Sequence, residues 1–473
     1  MTDEEILARL DALRAADAPT NGGHVLSYVY DSGLAERDGL AAEAMRRVQP
    51  VNGLDPTTFT SVAVMESEVV GFARSLLGGD DDVVGSVTTG GTESCLLAVK
   101  TARDNWRGEG KPRLVAAVTV HAAFQKAAHY FGLELDLVPT SVEGVVAASA
   151  LIERLGSDVA LVVVSAPSYP TAQLDPVTDV AAAALALGIS CHVDACIGGF
   201  VLPFWSDVAP WDLRVPGVTS LSADLHKFGY APKGASVLLH RGRDRQRAQF
   251  FATTRWPGYP VINPTMLGSK SAAPLAAAWA ITQRLGASGL ASLARSCELS
   301  TRALIELVES IEGLRVVGTP VGPLFAVAAD ETVEPARRVD PHHWADQVRQ
   351  HGFLLQLQPG LTQSDGVRLP HTTHLTVTPV TASVVPELSA ALVAAADEVR
   401  GEPAVLVGQL PFELPDPLTS EAAWQTLQAL GIGQGGALPA RMAPLLALIE
   451  ALPAPAVERL LTELIARVVE PVG

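Results

Sequence analysis

Lys227 lies in Ser222-Ala223-Asp224-Leu225-His226-Lys227-Phe228-Gly229-Tyr230, downstream of His192-Val193-Asp194-Ala195-Cys196, and each segment follows a short apolar run. A lysine and an acid presented on separate strand ends can divide one task between them. The amine holds an aldehyde as a Schiff base, and the carboxylate keeps a pyridine nitrogen protonated so that the ring accepts electrons. Pyridoxal phosphate (PLP) requires that pairing, which makes Lys227 and Asp194 the first candidate catalytic residues.

Two further motifs precede them. Thr88-Thr89-Gly90-Gly91-Thr92-Glu93-Ser94 stands before a stretch read as a helix from Cys95 to Trp106. Glycines let backbone approach an anion, and the free N–H groups of the helix then face it. No Gly-Lys-Ser/Thr follows, so this is not a P-loop. His121 follows the apolar run Leu114–Val120, where an imidazole can stack on a flat ring. Each feature has a plainer reading: a glycine turn, a polar loop histidine, a helix N-cap at Asp194, a solvent-facing lysine. Their order along the chain, each after an apparent strand, favours convergence on one site. His192 beside Asp194 has no third ligand nearby, so no metal is expected.

These residues need a scaffold. Leu114–Val118, Ala160–Val164 and Ser190–Val193 read as strands buried on both faces, with Ala-rich helices such as Val177–Leu187 between them. The alternation predicts an α/β fold with a mostly parallel central sheet covered by helices. Ligands then bind beyond the carboxyl ends of the strands, where Ser165, Asp194 and the Lys227 loop fall. An opening helix spans about Glu4–Ala16, and an amphipathic one runs from Thr60 to about Leu77. A long Ala/Leu helix from about Ala272 to Glu309 leads to a smaller α+β domain with strands at Leu314–Val317, Leu324–Val327 and Thr373–Val377. Past Gly401, Pro-rich turns lead to a final helix near Ala456–Val469, a packing or interface extension. The expected division is 1–59, an N-terminal segment contributing to the active site and a dimer; 60–300, a large cofactor-binding domain; 301–400, a small domain; and 401–473, the extension.

Bulk properties agree with a multi-domain globular enzyme. The 473 residues are 48% hydrophobic and 18% charged, enough for more than one core. Lys+Arg 34 against Asp+Glu 51 gives −17, which argues against nucleic acid or anionic membrane as the main partner. Cys95, Cys191, Cys196 and Cys297 form no metal-spacing motif, and Cys191 and Cys196, which flank Asp194, read as reduced small core residues. The acidic N-terminus lacks an apolar signal-peptide region, and no apolar run reaches the ~18 residues that span a bilayer. A cytoplasmic location is expected.

From Ser27 to Gly268 the chain resembles the sphingosine-1-phosphate lyase branch of the PLP-dependent group II decarboxylases. The segments that carry the resemblance are Thr89–Ser94, His121–Phe124, His192–Phe200, Ser222–Gly234, Trp256-Pro257-Gly258 and Pro264–Ser269. It implies fold type I and a homodimer with shared active sites. Lys227 would form the Schiff base, Asp194 would salt-bridge the pyridine nitrogen, His121 would stack on the ring, and Ala195 would pack on its other face. Gly91, Thr92 and His226 would bind the cofactor phosphate, with Ser269 reaching in from the neighbouring subunit. Tyr30, Lys233 and Asn52 match residues that face the substrate.

The chain departs from the branch where the substrate would lie. The family's Asn-Pro-Leu-His-Pro is here Asn52-Gly53-Leu54-Asp55-Pro56, so Asp55 replaces a histidine that helps bind a phosphorylated substrate. A carboxylate ~4 Å from a phosphate charge costs about 1 kcal/mol in bulk water and more in a cleft. Thr171 stands where tyrosine is common, Lys270 for an arginine and Leu225 for a threonine. The resemblance favours retro-aldol cleavage of a 2-amino-3-hydroxy substrate, with Lys227 or Tyr30 as general acid. The alternative is an L-amino-acid α-decarboxylase, for which Arg368 is a possible carboxylate partner though more plainly a surface residue. A non-catalytic PLP-binding scaffold is the remote third reading.

Overall fold

The structure, a computed structural model, describes residues 1–405, 418–429, 431–432, 439 and 441–471. Most of the Pro-rich turns expected past Gly401 fall on residues 406–417 and 433–438, outside the described residues.

A seven-stranded sheet forms the centre. Its strands are β1 (Val83–Thr88), β2 (Arg113–Ala117), β3 (Glu134–Val138), β4 (Val159–Ser165), β5 (Ser190–Asp194), β6 (Ser220–Ala223) and β7 (Ser236–Arg241), in the order β1-β7-β6-β5-β4-β2-β3. Strands β2 to β6 pair in parallel, and β7 runs antiparallel to both β1 and β6. Every residue of β4 is buried, as its unbroken Val/Leu/Ala composition requires for a strand covered on both faces. In register, Ser165 lies beside Asp194 and Asp194 beside Ser222, so the carboxyl ends of β4, β5 and β6 share one rim.

The helix after β1 begins at Gly91 and ends at Asn105, earlier than the sequence suggested. Ser94 N–H bonds to Gly90 O at 3.1 Å, so the glycine pair is the helix start itself rather than a turn ahead of it. Gly90 adopts φ 152, ψ 171, a backbone conformation side chains disfavour.

A second, four-stranded antiparallel sheet contains Leu314–Val316, Leu324–Ala329, Thr372–Thr376 and Gln356–Gln358. The long helix Ala273–Ser310 joins the two regions and is interrupted at Gly286, φ 54. Its Cys297 packs in the large core and its Leu304 in the small one, so the division expected at 300/301 falls inside a helix that serves both cores. The N-terminal segment is equally shared. Leu26 N–H bonds to Leu354 O, and Thr376 N–H bonds to Leu26 O, which stitches His24–Leu26 into the small domain.

The C-terminal region forms the helices Ser420–Ala429, Ala443–Ala451 and Ala454–Val468 around their own apolar cluster. Only the last was anticipated. Among the described residues no helix is long and apolar enough to cross a membrane.

Candidate active site

A cavity of about 520 Å³ opens at the carboxyl rim of the sheet, lined by Lys227, Asp194, His121, Ser165, Tyr30, Thr171 and residues of the small domain. An adjoining cavity of about 390 Å³ is lined by Thr89, Gly90, Gly91, Thr92, His226 and Cys95. His121, Cys196 and Lys227 border both. The convergence expected from the sequence is therefore present in the geometry.

Asp194 ends β5 and is 7% exposed. Its Oδ1 accepts the Cys196 N–H at 3.1 Å, so it does cap the turn that follows, the plainer reading of this residue. It also faces the cavity, and the two roles coexist. Lys227 Nζ lies 2.9 Å from Asp224 Oδ2, and the Asp224 side chain is 1% exposed. Burial alone would lower the lysine pKa, but Asp224 outweighs it and holds the ammonium well above its ordinary value. Burial would likewise raise Asp224, and Lys227 with His226 brings it below the usual carboxylate range. Asp224 is the functional residue the sequence reading missed. Its signal was the Asp three positions before the lysine, on the same loop.

His226 Nδ1 accepts N–H groups from Gly234 and Ala235, both at 3.3 Å. Burial pulls its pKa down to about 4, so at neutral pH the ring is neutral, and the bonds to Nδ1 assign the remaining proton to Nε2. Nε2 itself lies 3.5 Å from Asp224 Oδ2, and the ring lines the glycine cup. A Cβ on Gly91 would come within 2.6 Å of Asp224 Oδ2 and 2.9 Å of Cys196 Sγ, so the cup admits no side chain there. Glu93 accepts from Thr89 N–H at 2.6 Å, from the Thr89 hydroxyl at 2.8 Å and from Met266 N–H at 2.7 Å, which fixes the cup to the 264–269 loop. His121 caps the helix Ala122–Phe131, its Nδ1 accepting Ala123 N–H at 3.2 Å. Beneath the rim, Asp175 Oδ2 accepts Ser165 N–H at 2.7 Å, and burial raises its pKa to about 7.

Tyr30 borders the cavity edge-on to Phe228, with ring centroids 5.3 Å apart. Burial raises its pKa, and Lys227 partly offsets this. Lys233 Nζ sits 4.5 Å from the centre of the Tyr30 ring and donates to His226 O at 3.3 Å. Burial lowers its pKa to about 8, with Lys227 adding to the effect.

Several expected residues lie elsewhere. Ala195 is fully buried behind the rim. Asn52 and Ser269 bond to each other at 3.2 Å, away from Lys227 in their own chain. Asp55 is outside the cavity too, its two oxygens accepting from the backbone and hydroxyl groups of Thr57 and Thr58. Those bonds hold its pKa near 2. Arg368 pairs with Glu450 at 2.6 Å, the plainer outcome. His192 bonds to Ser220 at 2.9 Å and to Ser222 at 3.1 Å through its two nitrogens, and so is not paired with Asp194. Cys95, Asp194 and Cys196 do bring ligand atoms within 4.8 Å of one another, a cluster the sequence spacing had not suggested.

The donor set suits PLP. A helix N-terminus with open glycine backbone fits a phosphate, a cavity-facing carboxylate fits a protonated pyridine, and a primary amine stands between them. The family model for the pyridoxal-dependent decarboxylase conserved domain matches residues 34–253, and a model for the C-terminal HTH domain of pyridoxal-dependent enzymes matches residues 381–467. Fold and site together define the class, a PLP-dependent enzyme of fold type I.

A sphingosine-1-phosphate lyase of Oryza sativa subsp. japonica is 32% identical over 419 residues, covering 85% of this chain and 74% of the rice protein. That of Dictyostelium discoideum is 36% identical over 332 residues, 68% of this chain, which spans 61% of that relative's length. The solved structure of a Burkholderia pseudomallei sphingosine-1-phosphate lyase superposes with a TM-score of 0.78 at 30% identity, over 92% of this chain and 95% of that one. Within its class, the chain belongs to the sphingosine-1-phosphate lyase family.

Proposed function

We propose that this chain is a carbon–carbon lyase that cleaves a 2-amino-3-hydroxy substrate to an aldehyde and an amine, acting as a cytoplasmic homodimer. The observation that carries the reading is the cavity lining. Among its described residues Lys227 is the one lysine or arginine, so an α-carboxylate meets no cationic clamp, and Arg368 is engaged by Glu450. A substrate that reacts at a β-hydroxyl needs no such clamp. The relatives, all of them lyases by name, support the same choice.

Bound in this site, PLP supplies an electron sink for the pair left when a bond to the substrate's Cα breaks. The rest of the work falls to the chain. Lys227 is the amine that holds the cofactor aldehyde, and Asp194 receives the ring N–H. Gly91, Thr92 and the His226 Nε2–H bind the phosphate, while His121 covers one ring face. Tyr30 and Lys227 are the groups able to hold or return a proton near the reacting carbon. Lys233, Thr171, Asn52 and Asp55 belong to the substrate's surroundings.

Sharing of sites between subunits is supported by the positions of Asn52, Asp55 and Ser269 outside their own chain's cavity. An exposed apolar hairpin, with Phe251, Trp256, Tyr259 and Ile262 each 47–66% exposed, supplies a surface for a second copy. Four free cysteines suit a reducing compartment.

The deciding experiment incubates the purified protein separately with amino acids and with 2-amino-3-hydroxy amines, phosphorylated and not, and assays aldehyde and carbon dioxide. Aldehyde is expected. Carbon dioxide without aldehyde would falsify the lyase reading in favour of a decarboxylase.

A further inference from the structure

The C-terminal helices play no part in the chemistry above, yet they pack directly behind the cavity. Helix Ala443–Ala451 lies against the strand Gln356–Gln358. Leu357 of that strand borders the cavity and also packs into the apolar cluster formed by Leu445, Leu446 and Leu448. Two polar contacts fix the helix at its ends. At the start, the Asp346 carboxylate accepts the N–H groups of Met442 at 2.8 Å and Ala443 at 2.9 Å, and Asp346 is 4% exposed. At the far end, Glu450, with its side chain 11% exposed, pairs with Arg368 at 2.6 Å.

Arg368 belongs to the two-stranded piece Leu361–Thr362/Arg368–Leu369, and Leu361, Leu369 and Pro370 line the cavity. So short a ribbon cannot hold its own position; what it packs against decides where it stands. Gly360 shows how close that packing is. A Cβ there would lie 3.0 Å from Leu369 O and 3.1 Å from both Arg368 Nη2 and Glu450 Oε2, so the ion pair and the ribbon's own backbone both rest on the turn.

We propose that the C-terminal helical unit determines which substrate tails the cavity accepts, by holding the wall from Gln356 to Pro370 in place, with Glu450 and Asp346 as positioning residues. The proposal rests on the lyase reading, since it assigns that wall to the substrate's tail. Nucleic-acid reading, the other task a helix-turn-helix unit suggests, is disfavoured by charge. Residues 418–471 carry three arginines against five glutamates, and Arg467 is paired with Glu421 and Glu463, which leaves little to offer a phosphate backbone.

The test uses PLP-loaded wild type, Glu450→Gln and Asp346→Asn. Each is titrated with n-alkyl primary amines of increasing length while the cofactor absorbance is followed, and hydrogen exchange is measured over residues 356–370. Wild type should bind longer amines more tightly. In both variants the long-to-short affinity ratio should fall by about fivefold to tenfold, in line with losing a largely buried carboxylate from its polar contact. Exchange over the wall should quicken while binding of the shortest amine is unchanged. Arg368→Gln, which removes the wall's half of the same ion pair, should reproduce the effect if either variant fails to fold. An unchanged length ratio in all variants overturns the proposal and leaves the lyase reading intact, as does an equal loss for short and long amines. A wild type whose absorbance ignores amines overturns the lyase reading and this proposal with it.

Discussion

Lys227 and Asp224 form a contact of 2.9 Å between an amine and a carboxylate that is almost wholly enclosed. The acid sits one helical turn before the lysine on the loop that follows β6, and both border the glycine cup. The pairing keeps Lys227 charged where the two cavities meet, whereas the role proposed for it, attack on the cofactor aldehyde, needs a neutral amine. Under that proposal, loading with cofactor requires the ammonium to leave Asp224.

Removing either partner should separate the two roles. Lys227→Ala should lose the visible absorbance of the lysine-bound cofactor altogether; a spectrum identical to wild type would sink the assignment. Asp224→Asn removes the charge that raises the Lys227 pKa. The neutral amine then becomes available at lower pH, so the midpoint of the loading rate against pH should move down. The check is reconstitution of the cofactor-free protein across a pH series.

Gly91→Ala should leave the fold in place and weaken cofactor binding. The added methyl meets Asp224 Oδ2 at 2.6 Å and Cys196 Sγ at 2.9 Å, inside any tolerable contact. A loss of about tenfold or more in PLP affinity is expected from such overpacking of a binding cup. Equilibrium dialysis measures it, and an unchanged affinity places the phosphate elsewhere.

Asp55→His restores the residue the family carries at this position and exchanges an anion for a neutral or cationic ring. Turnover of a phosphorylated 2-amino-3-hydroxy amine should improve by about fivefold or more, the equivalent of the ~1 kcal/mol charge repulsion removed. The unphosphorylated substrate should be unaffected. The comparison is kcat/KM for the two substrates, and equal changes in both would reject the charge argument.

The Asp340–His371 pair makes the small domain sensitive to acid. Burial would raise the Asp340 carboxyl, but the His371 imidazole at 2.8 Å outweighs it and holds it near 2. Its folded pKa lies below the unfolded 3.8, so its contribution is present above pH 3.8 and disappears as pH falls through 2. The difference corresponds to about 2 kcal/mol. Burial would lower His371, and Asp340 instead leaves it raised. That contribution is complete below 6.5 and is lost as pH rises through the folded value. Asp340→Asn should therefore lower Tm between pH 4 and 6 by several degrees, with a smaller effect above neutrality. A uniform drop across pH would mean that the helix cap alone was lost.

The site was legible in the sequence where it depended on residue type at strand ends. Lys227, Asp194 and His121 each follow a buried apolar run, and a parallel sheet brings such positions to one rim. Asp224 escaped notice because its partner is three residues away on the same loop, where an acid reads as ordinary loop polarity. Glu93 was quoted within a motif, but its bond to Met266 crosses most of the domain and leaves no local trace. Three strands of the small domain were found near their true limits, but the short Gln356–Gln358 strand and the ribbon beside it were not, and the pairing of His24–Leu26 with Leu354 and Thr376 has no periodicity to betray it. The C-terminal helices Ser420–Ala429 and Ala443–Ala451 were missed because Pro-rich composition on either side suggested turns. The bearing of Leu357 on both cavity and tail exists only in three dimensions.

The stitching of Leu26 between Leu354 and Thr376 has a consequence for how the molecule is made. Tyr28 and Tyr30, close by along the chain, line the cavity at the sheet rim, so this segment is made well before the strands that hold it in place. Over the roughly 350 residues between Leu26 and Thr376 the large domain can fold around its own sheet while that rim stands open on one side. An interrupted or truncated product would carry Lys227 and Asp194 but no closed chamber. The chamber therefore closes only once the small domain has been made.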